Sequence, residues 1–536
     1  MRHSISRCGR PEGVVAAALP LLLITGVGAA LRFFLLGHQG LWYDESLTAV
    51  EVRLPIPSLM WTVTHDEVTP PLYFLVSRLW LHVFGTSAFA LRSLSAVAGT
   101  LAIPLGYLAG RWFTSRRAGL IAAALIAFNP FLFWYSQEAR AYSLLVLCCA
   151  LALAALAGAR RFGDWRFIAL WALGCGLAIA THFFAGFFVA PTAAWMLVRG
   201  RPRAVAWVAT ASVAGAQSAL VPLALSRRSH GLAWIAHMSL AHRLAQIPEE
   251  FLIGFGSVAS KPLLAVDGVV VLVALLLLFR TANRQERAGS VLAGAIGLSA
   301  VALPLALVAG GQDFLITRNV IIGLVPLLVM VAGGLGAARA RALGPLLAIV
   351  LCAVGLVAIA SVDAEPSLQR PDWRGLSRAL GPARVPRAVV VSGRYLPFPL
   401  QLYLRRSSVL RRRAHPVGVR EVTLVGTLPH ERRGCWWGAV CNLPTAIPRL
   451  RPPAPGFSLA GVRRLGIFEI ARFSSGPVEV LSRRQLYSPR LFRTRRPPRW
   501  LAFAQPSLGG SLTRQRALRP NRRVQRRRSH RRDRRS

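Results

Sequence analysis

Eleven apolar stretches of 15–23 residues, spread over residues 14–361, leave this chain few ways to fold. They are 14–36, 88–110, 118–135, 139–158, 167–181, 183–198, 204–225, 263–280, 288–310, 317–336 and 343–361. Crossing the ~30 Å hydrocarbon core takes roughly 20 apolar residues in a helix. In lipid a helix satisfies all its own backbone groups, which an open strand cannot do. The expected fold class is therefore an all-α polytopic membrane protein with about 11 transmembrane helices. Charge supports this, because only 16% of the 536 residues are charged and 54% are hydrophobic. Soluble domains usually carry ~25% charged residues, so a disordered chain is excluded and the balance points away from an ordinary soluble domain toward a polytopic membrane protein. The stretch 14–36 is too long and too late for a cleaved signal and reads as an uncleaved anchor, with residues 1–13 cytoplasmic.

Short cytoplasmic loops concentrate Lys and Arg, which sets orientation. The apolar stretch from Pro71 to Gly85 decides how that rule applies. It is short, begins with two prolines, and carries Arg78 and His82. If it does not cross, then Arg111/Arg116/Arg117, Arg160/Arg161/Arg166, Arg199/Arg201/Arg203, Arg280/Arg284/Arg287 and Arg339/Arg341 all lie inside. Glu138, His182, Asp313 and the loop 226–262 then lie outside. If it crosses, every basic loop faces the wrong way. We therefore read 71–85 as a juxtamembrane helix at the outer interface. The outer loop 37–87 holds two amphipathic stretches, Ser46–Val63 and Pro71–Gly85.

Hydrophobicity falls from about Asp363, and β-like runs appear at Ala388–Val391 and Glu421–Val425. Residues 362–481 read as a small outer α/β domain beyond the helical domain 14–361. Cys435 and Cys441 lie in it, either as an outer-face disulfide or as two free thiols. Residues 482–536 are rich in Arg, Pro and Ser and read as a disordered basic tail. The net charge of +44 comes almost wholly from Arg, alongside abundant Ala and Gly. It does not call for nucleic acid as a partner.

In a charge-poor chain, polar clusters at membrane level are informative, since each charge there costs ~2.5–3.5 kcal/mol on insertion scales. Three clusters stand out: Trp42-Tyr43-Asp44-Glu45; His65-Asp66-Glu67 running to Pro70-Pro71-Leu72-Tyr73; and Ser136-Gln137-Glu138-Ala139-Arg140-Ala141-Tyr142. Two weaker ones are Thr181-His182-Phe183-Phe184 and Gln312-Asp313-Phe314-Leu315-Ile316-Thr317-Arg318-Asn319. All five fall at one membrane level. Carboxylates gathered there can take a proton from a hydroxyl nucleophile. Arg140 and Arg318 can hold a phosphate and the charge it gains on leaving. Local alternatives stand beside this reading. Asp44-Glu45 fits a helix's first turn, Glu138 and Arg140 could pair at a helix end, His182 is a lone interfacial histidine, and Arg318 could be a snorkelling anchor.

The order and spacing of Leu41–Glu45, His65–Glu67, Pro70–Tyr73, Leu91-Arg92 and Trp134–Tyr142 resemble glycosyltransferase family 39 of the GT-C superfamily. Protein O-mannosyltransferases and lipid A aminoarabinose transferases belong there. Arg318-Asn319 and Pro371-Asp372-Trp373-Arg374 resemble its bacterial members, and the resemblance covers about residues 14–405. It implies a GT-C fold, a polyprenyl-phosphate sugar donor, and an acceptor hydroxyl on a glycan, lipid or protein. It implies an active site on the outer face of the plasma (inner) membrane. By resemblance Asp44 is the base with Glu45 beside it, and transfer inverts the anomeric centre. His65, Asp66, Glu67, Tyr73, Glu138, Arg140, His182 and Arg318 then bind donor or acceptor. Gln137 departs from the bacterial pattern, where Arg is common. No cofactor is firmly implied, although the acidic cluster leaves room for a divalent cation. A transporter or flippase of a lipid-linked glycan is the competing class. It is disfavoured because the charges gather at one face and no two halves match.

Overall fold

The computed structural model describes residues 11–507, except 66, 68–69, 226–234, 236–237, 256–258, 366–367, 393–397, 405, 411–415, 429–444 and 495–499. The chain divides into two compact units, 1–374 with 430–443, and 375–429 with 444–536.

The first unit is helical. Its helices are α1 (Pro11–Phe33), α2 (Tyr43–Glu51), α3 (Ile56–His65), α4 (Leu72–Phe84), α5 (Ala88–Phe113), α6 (Arg116–Phe128), α7 (Pro130–Ser136) and α8 (Tyr142–Phe162). There follow α9 (Trp165–Thr181), α10 (Gly186–Arg199), α11 (Arg203–Leu225), α12 (Leu240–Ile253), α13 (Ser260–Thr281), α14 (Arg284–Ala309), α15 (Leu324–Leu335) and α16 (Leu343–Ala364). Among the described residues seven helical segments are long and apolar enough to cross a membrane, and an eighth candidate is α6 with α7, bent by 58°. The bend falls at Asn129-Pro130. Proline cannot donate to the turn before it, and the Asn129 side chain caps α7 by accepting from the Leu132 amide at 2.9 Å. Shorter apolar helices cover 18–33, 165–181 and 183–199, so each of the eleven expected stretches coincides with an apolar helix.

α4 has 13 residues. At 1.5 Å per residue it is about 20 Å long, too short for the ~30 Å core. The stretch Ser46–Val63, read as one amphipathic run, is two helices, because Leu54-Pro55 separates α2 from α3. Arg78 of α4 closes that break by donating to the carbonyls of Val52 and Leu54.

The core of this unit lies between α5, α6, α8, α9 and α15, and small residues allow the helices close approach. Gly99 of α5 is the clearest case. A Cβ there would stand 2.1 Å from Ser136 Oγ and 3.1 Å from Arg32 Nε. Arg32 is fully buried, and among the described residues no carboxylate pairs with it. It donates instead to Ser136 Oγ and to the carbonyls of Gly28, Ala127 and Ile126, all within 3.2 Å. It thereby ties α1 to the end of α6 and to α7.

The second unit is built on a six-stranded mixed sheet. Its strands are β1 (Arg387–Ser392), β2 (Ser408–Val409), β3 (Val417–Thr427), β5 (Ser458–Leu465), β6 (Phe468–Leu481) and β8 (Trp500–Gln505), in the order β2-β8-β1-β3-β6-β5. β4 (Ile447–Pro448) and β7 (Phe492–Arg493) pair separately. Both runs read as β-like from the sequence are strands here, and they pair in parallel, Ala388 opposite Val422. Every residue of β1 is buried, as a central strand covered on both faces requires. β8 lies beyond residue 481, where the sequence reading ended this domain. It pairs antiparallel with β1 through residues 500–505, so the sheet takes a central strand from the stretch read as tail. Cys435, Cys441 and residues 508–536 lie outside the described residues.

Candidate active site

Four carboxylates and four guanidiniums from distant parts of the first unit meet around the N-terminus of α2 and the turn between α7 and α8. They pair one to one: Asp44 with Arg318, Glu45 with Arg92, Glu67 with Arg140, and Glu138 with Arg370. The pairs fall into two kinds.

Two are sealed. Glu45 is fully buried, and Arg92 grips it with Nε and Nη2 at 2.7 and 2.6 Å. The Glu45 carboxylate also accepts from the Ala139 amide at 3.0 Å and from the Trp42 amide at 3.3 Å. The Trp42 contact makes Glu45 the third-residue half of a capping box, so the first-turn reading of the acidic pair is realised by Glu45. Burial pushes the Glu45 pKa up, but Arg92, Arg370 and the hydrogen bonds outweigh it and hold it below the ordinary value. Arg92 spends its remaining donors on the carbonyls of Leu36, Gln39 and Gly40, which fixes the loop after α1. The second sealed pair joins Glu138 to Arg370 at 3.2 Å, each 3% exposed. The Arg370 guanidinium lies over the Trp134 ring, 4.3 Å from its centre. Burial raises the Glu138 pKa to about 7, since Arg370 opposes the shift while Glu45 and Asp44 add to it.

The other two pairs are open. Asp44 and Arg318 are 20% and 22% exposed, with their charged atoms 3.6 Å apart. Glu67 and Arg140 are 10% and 14% exposed, at 3.3 Å. Arg140 also donates to Thr48 Oγ1 of α2 at 3.3 Å. Burial works against the Arg140 charge, but Glu67 and Asp44 outweigh it and hold its pKa above the usual arginine value. His182 caps α9 and accepts from the Phe184 amide through Nδ1 at 3.2 Å. Burial, with the charges of Arg140 and Arg318, pushes its pKa down to about 3. It is a neutral wall beside two cations.

Asp44, Glu45, Glu67, Glu138, Arg140, His182 and Arg318 are thus brought together, while two of the sequence-derived residues stand differently. Tyr73 is buried in α4, with its hydroxyl beside Ser95 and Ser77. His65 is exposed, stacks on Trp61 with ring centres 4.6 Å apart, and bonds Thr64 and the Trp61 carbonyl. Asp66 lies outside the described residues. Gln137 donates to the carbonyls of Arg32 and Phe34, which binds the turn to the end of α1. Among the described residues no group of three or more His, Cys, Asp or Glu could hold a metal ion. Arg92 and Arg370 are the partners that charge clustering missed. Leu91-Arg92 belongs to the family-like pattern, and Arg370 directly precedes Pro371-Asp372-Trp373-Arg374, so motif order was their one signal.

Residues 68–225 match the family model described as dolichyl-phosphate-mannose-protein mannosyltransferase. No curated protein sequence matches the chain. Among solved structures, ArnT from Cupriavidus metallidurans in the apo state superposes with a TM-score of 0.51 at 14% identity, covering 85% of this chain and 98% of that one. The chain has the fold of the GT-C glycosyltransferases. The same ArnT bound to undecaprenyl phosphate gives 0.46 at 13% identity, covering 86% and 98%. Archaeal oligosaccharyltransferase AglB from Archaeoglobus fulgidus gives 0.43 at 12% identity, covering 69% of this chain. This chain spans 58% of the length of that archaeal protein. The family match takes in the Glu138–Arg140 turn and His182 of this GT-C fold. Asp44, Glu45, Glu67, Arg318 and Arg370 fall outside the matched residues.

Proposed function

We propose that this protein is a membrane glycosyltransferase that moves a sugar from a polyprenyl phosphate to an acceptor hydroxyl, with inversion, at the outer face of the plasma (inner) membrane. The observation that carries the reading is the contrast between open and sealed ion pairs. Whereas Arg92 grips the fully buried Glu45 from 2.6 Å, Arg318 and Arg140 meet partly exposed carboxylates at 3.6 and 3.3 Å. An arriving phosphate can take over those guanidiniums, because Arg–phosphate contacts are short, charged and often bidentate. Asp44 is then released to act as a base, while the sealed pairs keep the frame rigid. The GT-C fold and the family match over residues 68–225 support the same reading.

In this mechanism Asp44 accepts the proton of the acceptor hydroxyl. The acceptor oxygen bonds to the anomeric carbon as the bond from that carbon to the phosphate oxygen breaks. The phosphate leaves as an anion onto Arg140 and Arg318, so a strong general acid is not needed. Glu67 and Glu138 orient sugar or acceptor. Glu45 is a positioning residue, because Arg92 and two amides occupy its oxygens and it presents α2 with Asp44 facing outward.

The test is donor consumption by the protein in liposomes, using a panel of radiolabelled polyprenyl-phosphate sugars and wild type against Asp44→Asn. Consumption by wild type that is lost in a folded Asp44→Asn variant establishes both class and base. Equal consumption by both removes Asp44 from the role.

A further inference from the structure

Arg243 lies on α12, far from the sequence clusters, and is 2% exposed. It donates to both oxygens of Asp313, Nη1 to Oδ1 and Nη2 to Oδ2, each at 2.7 Å. Nη1 also reaches the Leu315 carbonyl at 2.7 Å. Two parallel charged bonds of this length form the strong, direction-setting type of arginine contact. The grip holds a segment without regular structure, which runs from Gly311 (φ +77°) to Ile316. Inside the segment Asp313 Oδ1 accepts from the Leu315 amide at 3.3 Å, and Asn319 Nδ2 donates to the Phe314 carbonyl at 2.8 Å. The short 3-10 helix Thr317–Gly323 starts directly afterwards, with Arg318 in its first turn.

We infer that the Arg243–Asp313 pair is a latch that positions Arg318 toward Asp44 and toward the donor phosphate. The inference rests on the proposed function. Its physical basis is that the 3-10 helix continues Arg318 on its C-terminal side, whereas on the N-terminal side the backbone bonds are short-range turns, such as the Ile316 amide to the Phe314 carbonyl. On the N-terminal side the chain is irregular, and the Arg243 fork fixes its path. The hydrogen-bond pattern of Asp313 supports the same view, since the Arg243 donors, aided by the Leu315 amide, hold that carboxyl below its usual pKa. Gln246 and Glu250 lie on the same buried face of α12, which makes this a polar strut under the Arg318 segment.

The test uses the full chain in nanodiscs and two readouts. Hydrogen exchange over peptides spanning 310–323 should speed up at least tenfold in Arg243→Gln and in Asp313→Asn, while peptides from α5 and α8 keep wild-type protection. Affinity for undecaprenyl phosphate, used without a sugar, should fall about tenfold to 100-fold in both, the range expected when a charge-assisted contact is lost. In an Arg318→Ala background the same changes should cost no further affinity. Unchanged exchange over 310–323 overturns the latch. So does an equal loss of affinity with and without Arg318. If wild type binds no undecaprenyl phosphate the donor reading fails, and the exchange data still decide the latch by themselves. Asp313→Asn keeps one acceptor for Arg243 and remains informative if Arg243→Gln does not fold.

Discussion

The Arg318 guanidinium stands 3.6 Å from the Asp44 carboxylate, although Asp44 opens the chain's second helix and Arg318 begins one of its last apolar segments. Its neighbour Glu45 is gripped from 2.6 Å by a buried arginine. Adjacent residues on a helix point about 100° apart. One therefore faces the open side and the other the interior, and their expected behaviours differ.

Asp44→Asn should lower sugar transfer by at least ~10²-fold, the usual range for loss of a positioned base. Undecaprenyl phosphate affinity should hold or improve, because Arg318 loses a competing anion. Initial rates and equilibrium binding on the same preparation check both parts.

Arg92→Ala should act on stability. It leaves the buried Glu45 charge without its main partner, a change that costs about 3–5 kcal/mol. Thermal unfolding in detergent should show a large drop in midpoint, with a smaller one in Glu45→Gln, which removes the charge itself. The Glu45 contribution has a defined pH sense. Its folded pKa lies below the ordinary value, so the stabilisation is present above pH ~4.3 and is lost as pH falls through the folded pKa.

Glu138 works in the opposite sense. With a folded pKa of about 7 it binds its proton more tightly in the folded state. Its contribution is fully present below pH ~4.3 and is lost as pH rises toward 7. Glu138→Gln should flatten the stability profile between those limits. A profile as steep as wild type in that window contradicts the assignment.

His182 should be silent as a catalytic titrating group. Its folded pKa of about 3 keeps it neutral at working pH. The unfolded chain binds that proton near pH ~6.5, so stability rises with pH from 3 to 6.5. His182→Phe should remove that slope from unfolding data while leaving the pH profile of transfer above pH 5 unchanged in shape. A displaced transfer profile assigns His182 a proton-handling role.

Arg140→Ala and Arg318→Ala should each weaken undecaprenyl phosphate binding by roughly tenfold or more, as loss of a charge-assisted contact implies. Together they should approach background. Binding isotherms at two salt concentrations check this, with the salt dependence shrinking in each variant.

Much of the molecule was legible because hydrophobicity is local. The eleven apolar stretches, the short α4 and the runs that become β1 and β3 each follow from composition in a window and from prolines at its edges. Less local features were not legible. The sheet needs β8, whose residues 500–505 follow an Arg-rich stretch that reads as tail. It becomes a central strand only because β1 offers it an unpaired edge. In the site, residue type and membrane level gathered Asp44, Glu67, Glu138, Arg140 and Arg318. They could not separate Asp44 from Glu45, or place His65 on Trp61 at the surface.

The sequence by itself determined a membrane-spanning helical body, and one polar level where charges collect, because burying charge in lipid costs too much elsewhere. Only the tertiary structure decided which charges are sealed and which remain open. Ion pairing depends on distance in space: Arg92 and Arg370 reach Glu45 and Glu138 from far along the chain and close them off. Asp44 and Glu67 are left at partly exposed contacts, where the proposed function has a phosphate compete for Arg318 and Arg140.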